Sequence, residues 1–146
     1  MKFLTFILLM IPVVLPAQNL REKFEAGTEI TASEWQEMTR GRTVIYQSFG
    51  REVGREYYPP SGNKVFFRFS NGECLEGTVA YSPPDFCFDW QVYGKMCFEH
   101  KYVDGEIFIM GEGNIVFVSD IVNDPFQCTA GLLSALDQPL AFAGLP

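Results

Sequence analysis

The chain has 146 residues, of which 47% are hydrophobic, and its 18 acidic against 11 basic residues give a formal net charge of −7. A chain of this size can bury one hydrophobic core, so we expect one domain. The negative charge argues against nucleic acid and against anionic lipid as the main partner, because both bind dense cationic surfaces.

The N-terminus has the order of a secretory signal peptide. Lys2 precedes an apolar run from Phe3 to Val14, and the small residue Ala17 follows it. The pattern predicts a signal peptide over residues 1–17, cleaved after Ala17. Leu15, at the third position before the cut, is larger than the alanine usual there, so an uncleaved membrane anchor is the alternative. The apolar run is, however, shorter than the about 20 residues that span a bilayer. We expect a periplasmic or secreted bacterial protein, with no stable membrane insertion after cleavage.

Residues 18–146 are interpreted as a single β-rich domain, with a loose charged lead-in at 18–28 and an apolar tail at 137–146. The clearest local signal is a helix that begins at Thr31. Thr31 and Glu34 form the reciprocal capping pattern, and Ile30 and Trp35 occupy the positions of a hydrophobic staple. Gly41 follows where a left-handed terminating residue is favoured, so the helix is two to three turns long.

After this helix the hydrophobic period changes to two, and turn residues recur every 8–12 positions, as in an antiparallel meander. Asn71-Gly72 predicts a two-residue hairpin turn. A last helical turn is expected within Gly131–Leu136. The fold class is therefore mainly β, either a closed or half-open small barrel or a curved sheet, with one N-terminal amphipathic helix. The eight predicted strands are Thr43–Gln47, Arg55–Tyr58, Lys64–Ser70, Cys74–Tyr81, Phe86–Gln91, Met96–Tyr102, Glu106–Met110 and Ile115–Ser119.

Four cysteines in an exported chain most often form two disulfides. Their spacing contains no Cys-x-x-Cys pair and His100 is the single histidine, so the pattern does not favour a zinc site and predicts no cofactor. In the hairpin that joins the strands around Tyr93, Cys87 and Cys97 point to the same face. Placing them opposite each other also pairs Asp89 with Lys95, which favours this register. We therefore prefer Cys87–Cys97 and, for the remaining two cysteines, Cys74–Cys128, among three possible pairings.

A set of glycines, aromatic residues and cysteines recurs at characteristic spacings between residues 41 and 105. Its members are Gly41 and Thr43; Glu56, Tyr57, Tyr58, Pro60 and Gly62; Glu76, Gly77 and Thr78; and Cys87, Trp90 and Cys97. This pattern resembles that of a family of small exported proteobacterial domains of unknown function. The resemblance implies an exported β-domain without transferring an active site. The chain departs from the family pattern at Val79, where a tryptophan is expected.

Candidate catalytic groups are few. Asp85, Asp89 and Glu99 lie near one hairpin and suggest a carboxylate-dependent glycoside hydrolase, but a solvated sheet face explains them more simply. His100 lies on the apolar face beside Phe98 and is interpreted as a core or rim histidine. We therefore predict no catalytic residues and no enzymatic activity.

Candidate binding residues form two groups. Between residues 40 and 68 there are six basic and two acidic residues, against two basic and eleven acidic from residue 69 onward, so a cationic rim beside an anionic body is one hypothesis. Aromatic residues lining a barrel mouth are the other. The function hypotheses are an interaction module for a protein or envelope component, a lipocalin-like carrier of a small apolar ligand and, last, the hydrolase. The candidate residues are Arg42, Arg51, Arg55 and Arg68 for the rim, and Tyr57, Tyr58, Phe66, Phe86 and Trp90 for the pocket.

Overall fold

The computed structural model of the protein describes residues 16–128. The segment Gly131–Leu136, the tail at 137–146 and almost all of the predicted signal peptide lie outside them. No helix in the described part is long and apolar enough to cross a membrane. The elements are α1 (Pro16–Glu25), β1 (Thr28–Glu29), α2 (Ala32–Thr39), β2 (Arg42–Ser48), β3 (Arg51–Tyr58), β4 (Lys64–Phe69), β5 (Cys74–Ser82), β6 (Asp85–Trp90), β7 (Gly94–Val103), β8 (Glu106–Gly111) and β9 (Asn114–Val122).

Strands β2 to β9 form a closed antiparallel barrel. Each strand pairs with the next, and β9 pairs back with β2. The mainly β fold is confirmed, and closure decides between the barrel and the open sheet. The eight predicted strands correspond one for one to β2–β9, with the largest difference at β3, which begins at Arg51 instead of Arg55. The two-residue β1 lies beside the end of β7, beyond the residues that pair with β6.

Alternation along each strand fills the barrel with large apolar side chains. Val65, Phe67 and Phe69 share one face of β4, and this face points inward: Val65 belongs to the core, and Phe67 and Phe69 pack against it. Glycines face the aromatic rings: a Cβ on Gly77 would lie 2.5 Å from the Trp90 ring, and a Cβ on Gly54 or Gly111 would lie still closer to a phenylalanine ring. The buried core is formed by Ile30, Trp35, Val44, Tyr46, Tyr58, Val65, Leu75, Phe86, Phe88, Trp90 and Ile109.

Helix α2 forms as its sequence predicts. Thr31 is the N-cap, the Glu34 amide donates to its hydroxyl, and the Glu34 carboxylate accepts from the Thr31 amide at 2.8 Å, which completes the capping box. Gly41 has φ of +71° and ends the helix segment. Ile30 and Trp35 are both buried, so α2 lies across one end of the barrel.

The expectation of a loose lead-in at 18–28 was wrong, because this stretch contains most of α1 and the start of β1. Phe24 is fully buried on the outer face of β7, where the Lys101 ammonium lies 5.0 Å from its ring centroid. Residues 16–128 therefore contain two helices instead of the one predicted for this part of the chain. Helix α1 was not predicted because Phe24 is its single buried aromatic residue, and one such residue in a polar segment gives little hydrophobic periodicity.

The hairpin between β4 and β5 is present, but its loop has three residues instead of the predicted two. The Phe69 amide donates to the Glu73 carbonyl at 2.8 Å, which leaves residues 70–72 in the loop. Gly72 has φ of +93°, as expected of the left-handed residue that closes a three-residue hairpin loop.

Both predicted disulfides are present, Cys87–Cys97 and Cys74–Cys128, and none of the described cysteines is free. The first joins directly opposed residues of β6 and β7, in the register that pairs Asp89 with Lys95. The second ends a segment, residues 123–128, that we call the strap. The strap crosses the outer face of β3, β4 and β5, where the Phe126 ring lies against Tyr57. Two disulfides are typical of an oxidising, extracytoplasmic compartment.

Candidate functional site

The barrel has two different ends. The capped end carries α2 and the β3–β4, β5–β6 and β7–β8 connections. The turn end carries the β2–β3, β4–β5, β6–β7 and β8–β9 turns. Functional side chains commonly lie on loops at the ends of a rigid barrel.

The four predicted arginines do not form one rim. Arg55 pairs with Glu52 at 2.6 Å and with Asp124 of the strap at 3.4 Å. The Arg68 guanidinium lies 4.2 Å from the centroid of the Phe126 ring. Arg42 and Arg51 are exposed, but they lie at opposite ends of the β2–β3 hairpin. Two of the four cations are thus engaged with the strap, because Arg55 and Arg68 are direct neighbours on β3 and β4.

The predicted aromatic pocket residues are divided between the two faces of the barrel wall. Tyr57 and Phe66 lie on the outer face, next to each other and under the strap. Tyr58, Phe86 and Trp90 face the interior. The prediction that these residues line a common pocket was therefore wrong, because adjacent residues of a strand point to opposite faces. Trp90 stacks on Phe88 with 5.6 Å between ring centroids and belongs to the core.

The carboxylates singled out in the sequence lie on the outer face around the Cys87–Cys97 disulfide. Asp85 is opposite Glu99 and Asp89 is opposite Lys95, so the disulfide separates Asp89 from Glu99. Glu99 pairs with the buried Lys101 at 3.3 Å. Within residues 16–128 no group of three or more histidine, cysteine, aspartate or glutamate side chains is arranged to hold a metal ion.

At the turn end, Phe49 is the most exposed large hydrophobic side chain of residues 16–128, with 88% of its surface accessible. It occupies the tip of the β2–β3 hairpin, between the paired residues Ser48 and Arg51. Phe49 has φ of +48° and Gly50 has φ of +73°, the backbone of a two-residue turn with both residues left-handed. This conformation is unfavourable for a bulky side chain.

Two other turns of the barrel have a backbone of the same kind, with an acidic residue at the first position. Asp104-Gly105 and Glu112-Gly113 have the same pair of positive φ angles, and each connects two strands by two residues. Asparagine and aspartate favour the first position, since their short polar side chains tolerate the left-handed region. Phe49 is therefore unusual for its position. Phe49 was not among the residues predicted to bind, although a phenylalanine in place of asparagine or aspartate at this turn position is a signal visible in the sequence.

At the capped end, a chain of polar groups is buried beneath α2. The Trp35 indole Nε1 donates to the Tyr58 hydroxyl at 3.1 Å. The Tyr46 hydroxyl donates to Glu56 Oε2 at 2.5 Å. These hydrogen bonds connect the helix to β2 and β3 through the interior. The burial of Glu56 was not predicted, because both faces of β3 carry charged side chains.

Glu56 is only 3% exposed, and its Oε1 atom has no hydrogen-bond partner among the described residues. Burial raises the pKa of Glu56 to about 7, because a carboxylate is poorly solvated there, while hydrogen bonds from Tyr46 and Tyr58 oppose the shift. Burial and the nearby Glu56 charge raise the pKa values of both tyrosines well above their ordinary value. The site therefore favours a protonated Glu56 below neutral pH.

His100 lies behind Trp35 and is 2% exposed. Its ring is 4.7 Å from the Trp35 ring and 4.3 Å from the Phe86 ring, centroid to centroid. Nδ1 donates to the Phe98 carbonyl oxygen at 3.3 Å, and Nε2 has no partner in the described residues. Burial lowers the pKa of His100 to about 3, which keeps the ring neutral, and the hydrogen bond to Phe98 only partly opposes this. His100 is thus a core histidine, as expected, but its hydrogen bonding is incomplete.

A groove of about 70 Å³ lies between α2 and the barrel rim. Trp35, Tyr58 and Phe86 line it and separate it from His100 and Glu56, which do not reach it. A second, wider groove of about 270 Å³ lies on the surface between the end of α1 and the β7–β8 turn. Lys23 and Asp104, two of its lining residues, form an exposed ion pair.

The chain was compared with protein-family models, with curated proteins and with solved structures, and none of the three comparisons finds a match. The resemblance to an exported proteobacterial family therefore stays a prediction.

Proposed function

We propose that this protein is an exported, non-enzymatic binding module that inserts the tip of its β2–β3 hairpin into an apolar pocket of a partner protein. The observation that carries the proposal is Phe49, which is almost fully exposed in a left-handed backbone position. Strained residues tend to occur at functional sites. Export is supported by the two disulfides and by the predicted signal peptide.

The tip has the properties of a binding anchor. Burying an exposed phenylalanine side chain gains about 1.5–3 kcal/mol, whereas holding it in the left-handed region costs about 1–2 kcal/mol. A stability requirement alone would favour asparagine or aspartate at position 49, so the phenylalanine has no benefit in the free protein. The hairpin fixes the backbone of Phe49 before binding, which reduces the conformational entropy lost on association.

The partner's chemistry follows from the residues beside the ring. Arg51 is exposed two positions after Phe49, and no ion pair to it is found among the described residues. Aromatic and arginine side chains dominate the binding energy of protein interfaces. The tip therefore fits a pocket with apolar walls and a carboxylate at its edge. A net charge of −7 disfavours an anionic membrane as the alternative surface.

The carrier hypothesis remains the second candidate, because the closed eight-stranded antiparallel barrel is also the architecture of lipocalins. A carrier of a drug-sized ligand needs a pocket of about 300–1,000 Å³. Tyr58, Phe86, Phe88 and Trp90 occupy the barrel interior, and the groove at its capped end holds only about 70 Å³. The packing of the interior therefore favours binding through the outer surface.

The test begins with a photo-crosslinking amino acid at position 49, and at position 92 as the control, in protein exported by its own host. Val92 is also exposed, at 49%, but it lies in the β6–β7 turn. The crosslinked protein is then purified and its affinity is measured by calorimetry. We expect Phe49→Asn to weaken binding at least about tenfold, which corresponds to about 1.4 kcal/mol. The same substitution should raise the free energy of unfolding by about 1 kcal/mol, because asparagine suits the turn.

Val92→Asn is the matched control and should leave the affinity unchanged. The opposite effects of Phe49→Asn on stability and binding exclude general unfolding as the reason for lost affinity. The proposal fails if position 49 crosslinks no protein, or if Phe49→Asn binds the partner as tightly as the wild type. It also fails if the protein sediments with phosphatidylcholine vesicles in a Phe49-dependent way, since the tip would then contact lipid.

A further inference from the structure

The groove at the capped end combines an aromatic floor with an open side. Trp35 and Phe86 form the floor, with 6.1 Å between their ring centroids. Tyr81 packs against Phe86 at 4.9 Å and is 36% exposed, so its ring extends the floor toward solvent. A flat apolar group can therefore lie partly in the groove and partly on Tyr81.

The charge around the groove differs from that of the rest of the molecule. None of the described residues that line it is acidic, although the chain has 18 acidic residues. Two cations line it: Arg40, which directly follows α2, and Lys64, at the start of β4. Arg40 donates to the neutral Gln36 side chain at 3.1 Å, so its positive charge is not neutralised there. Lys64 pairs with Glu76 in an exposed contact, which is a weak interaction, and its ammonium keeps two further protons.

We propose that this groove binds small amphipathic carboxylates. The carboxylate lies between Arg40 and Lys64, and the apolar body lies against Trp35, Phe86 and Tyr81. The proposal does not depend on the Phe49 tip, which lies at the other end of the barrel.

The volume of the groove sets the size of the ligand. A volume of about 70 Å³ is far below the about 300–1,000 Å³ of a pocket that encloses a drug-sized ligand. Only the carboxylate and its adjacent carbon therefore lie in the enclosed part, and an aryl or short alkyl group rests on the exposed Tyr81 ring. A cationic site that encloses little more than the head group discriminates by charge first and by the apolar group second.

The experiment uses phenylacetate as the probe and phenylacetamide, its neutral isostere, as the control ligand. The protein has two tryptophans, so its indole N–H groups give two NMR signals, which Trp35→Phe assigns. Trp35 lines the groove, whereas Trp90 is buried against Phe88 and serves as an internal control. We expect phenylacetate to shift the Trp35 signal with a dissociation constant of about 1 mM, equivalent to about −4 kcal/mol, and phenylacetamide to bind at least about tenfold more weakly.

The double variant Arg40→Gln and Lys64→Gln should weaken phenylacetate binding at least about tenfold, equivalent to about 1.4 kcal/mol. Lys95→Gln also removes an exposed cation, but at the turn end, and should have no effect. An unchanged Trp90 signal shows that each variant is folded. The proposal is overturned if the Trp35 signal does not move at about 10 mM phenylacetate, about ten times the expected constant. Equal shifts with the amide, or full binding by the double variant, would also overturn it.

Discussion

Gly77 has no side chain, and the packing around it leaves no room for one. A Cβ at this position would lie 2.5 Å from the Trp90 ring and 2.8 Å from the Asp89 carbonyl oxygen. The second neighbour is backbone of the paired strand, so it cannot rotate away. We expect Gly77→Ala to lower the free energy of unfolding by about 1–3 kcal/mol, the usual cost of forcing extra volume into a packed core. Urea denaturation followed by fluorescence of the tryptophans measures this loss.

Thr78→Ala is the control for that substitution, because Thr78 is the next residue of β5 and is exposed on the outer face. It should change the free energy of unfolding by less than about 0.5 kcal/mol. If Gly77→Ala were as mild as Thr78→Ala, the close packing of Trp90 on β5 would be wrong.

Single residues also show the limit of prediction from the sequence. Strand alternation placed Phe88, Trp90, Met96 and Phe98 on one face, and this face is the interior. Alternation alone does not say which face of a strand is inside when both carry large side chains. Tyr57 and Tyr58 show this, because they are adjacent aromatics and only the second enters the core. The strap, which buries Tyr57 from outside, has no periodic pattern that would predict its position.

Among the elements, α2 tests how much a local signal contributes to the fold. Its capping box joins Thr31 and Glu34, and the helix holds Trp35 over the barrel. We expect Thr31→Ala to lower the free energy of unfolding by about 1 kcal/mol, because the Glu34 amide loses its acceptor. Chemical denaturation gives the stability, and the Trp35 indole N–H signal reports whether the helix end has loosened.

Glu37→Gln serves as the matched variant in α2, since Glu37 is exposed and lies outside the capping box. It should leave both the stability and the Trp35 signal unchanged. An equal effect of the two substitutions would mean that the cap contributes nothing beyond ordinary helix propensity.

The two helices explain why one was predicted and the other was not. The α2 sequence contains its own start, its stop and two staple residues, all within about a dozen positions. Helix α1 instead packs on a strand far along the chain, where Phe24 is fully buried beside Lys101 of β7. A helix of about ten residues is marginal alone, so most of its stability comes from that packing and is invisible in the local sequence.

At the scale of the whole molecule, closure of the barrel depends on β9 returning to β2, a pairing between distant parts of the chain. Strand patterns do not specify such long-range pairing, so the open sheet and the barrel were equally consistent with the sequence. The strap reinforces the closed form. Its disulfide, Cys74–Cys128, joins residues 54 positions apart, whereas Cys87–Cys97 spans 10. In the chain-entropy description the longer loop contributes about 4 kcal/mol and the shorter one about 3 kcal/mol.

The stability of the folded barrel also depends on pH through Glu56 and His100, whose effects have opposite signs. The pKa of Glu56 is raised from 4.5 to about 7 in the folded state, so its contribution is complete below pH 4.5 and is lost as the pH rises toward 7. The pKa of His100 is lowered from 6.5 to about 3, so its contribution is complete above pH 6.5 and is lost as the pH falls. Between pH 4.5 and 6.5 the two slopes largely cancel.

Single substitutions should therefore reveal slopes that the wild type does not show. Each group alone contributes up to about 1.4 kcal/mol per pH unit. In Glu56→Gln, the free energy of unfolding should rise with pH between pH 5 and 6.5 relative to wild type, since only His100 still titrates. In His100→Gln it should fall over the same range, and in the double variant the wild-type profile should return. Urea denaturation at several pH values measures the slopes, which do not depend on any uniform loss of stability from altered packing. Identical profiles for wild type and Glu56→Gln would show that the Glu56 carboxyl group is ionised inside the barrel, and that the polar chain beneath α2 then stabilises a buried charge.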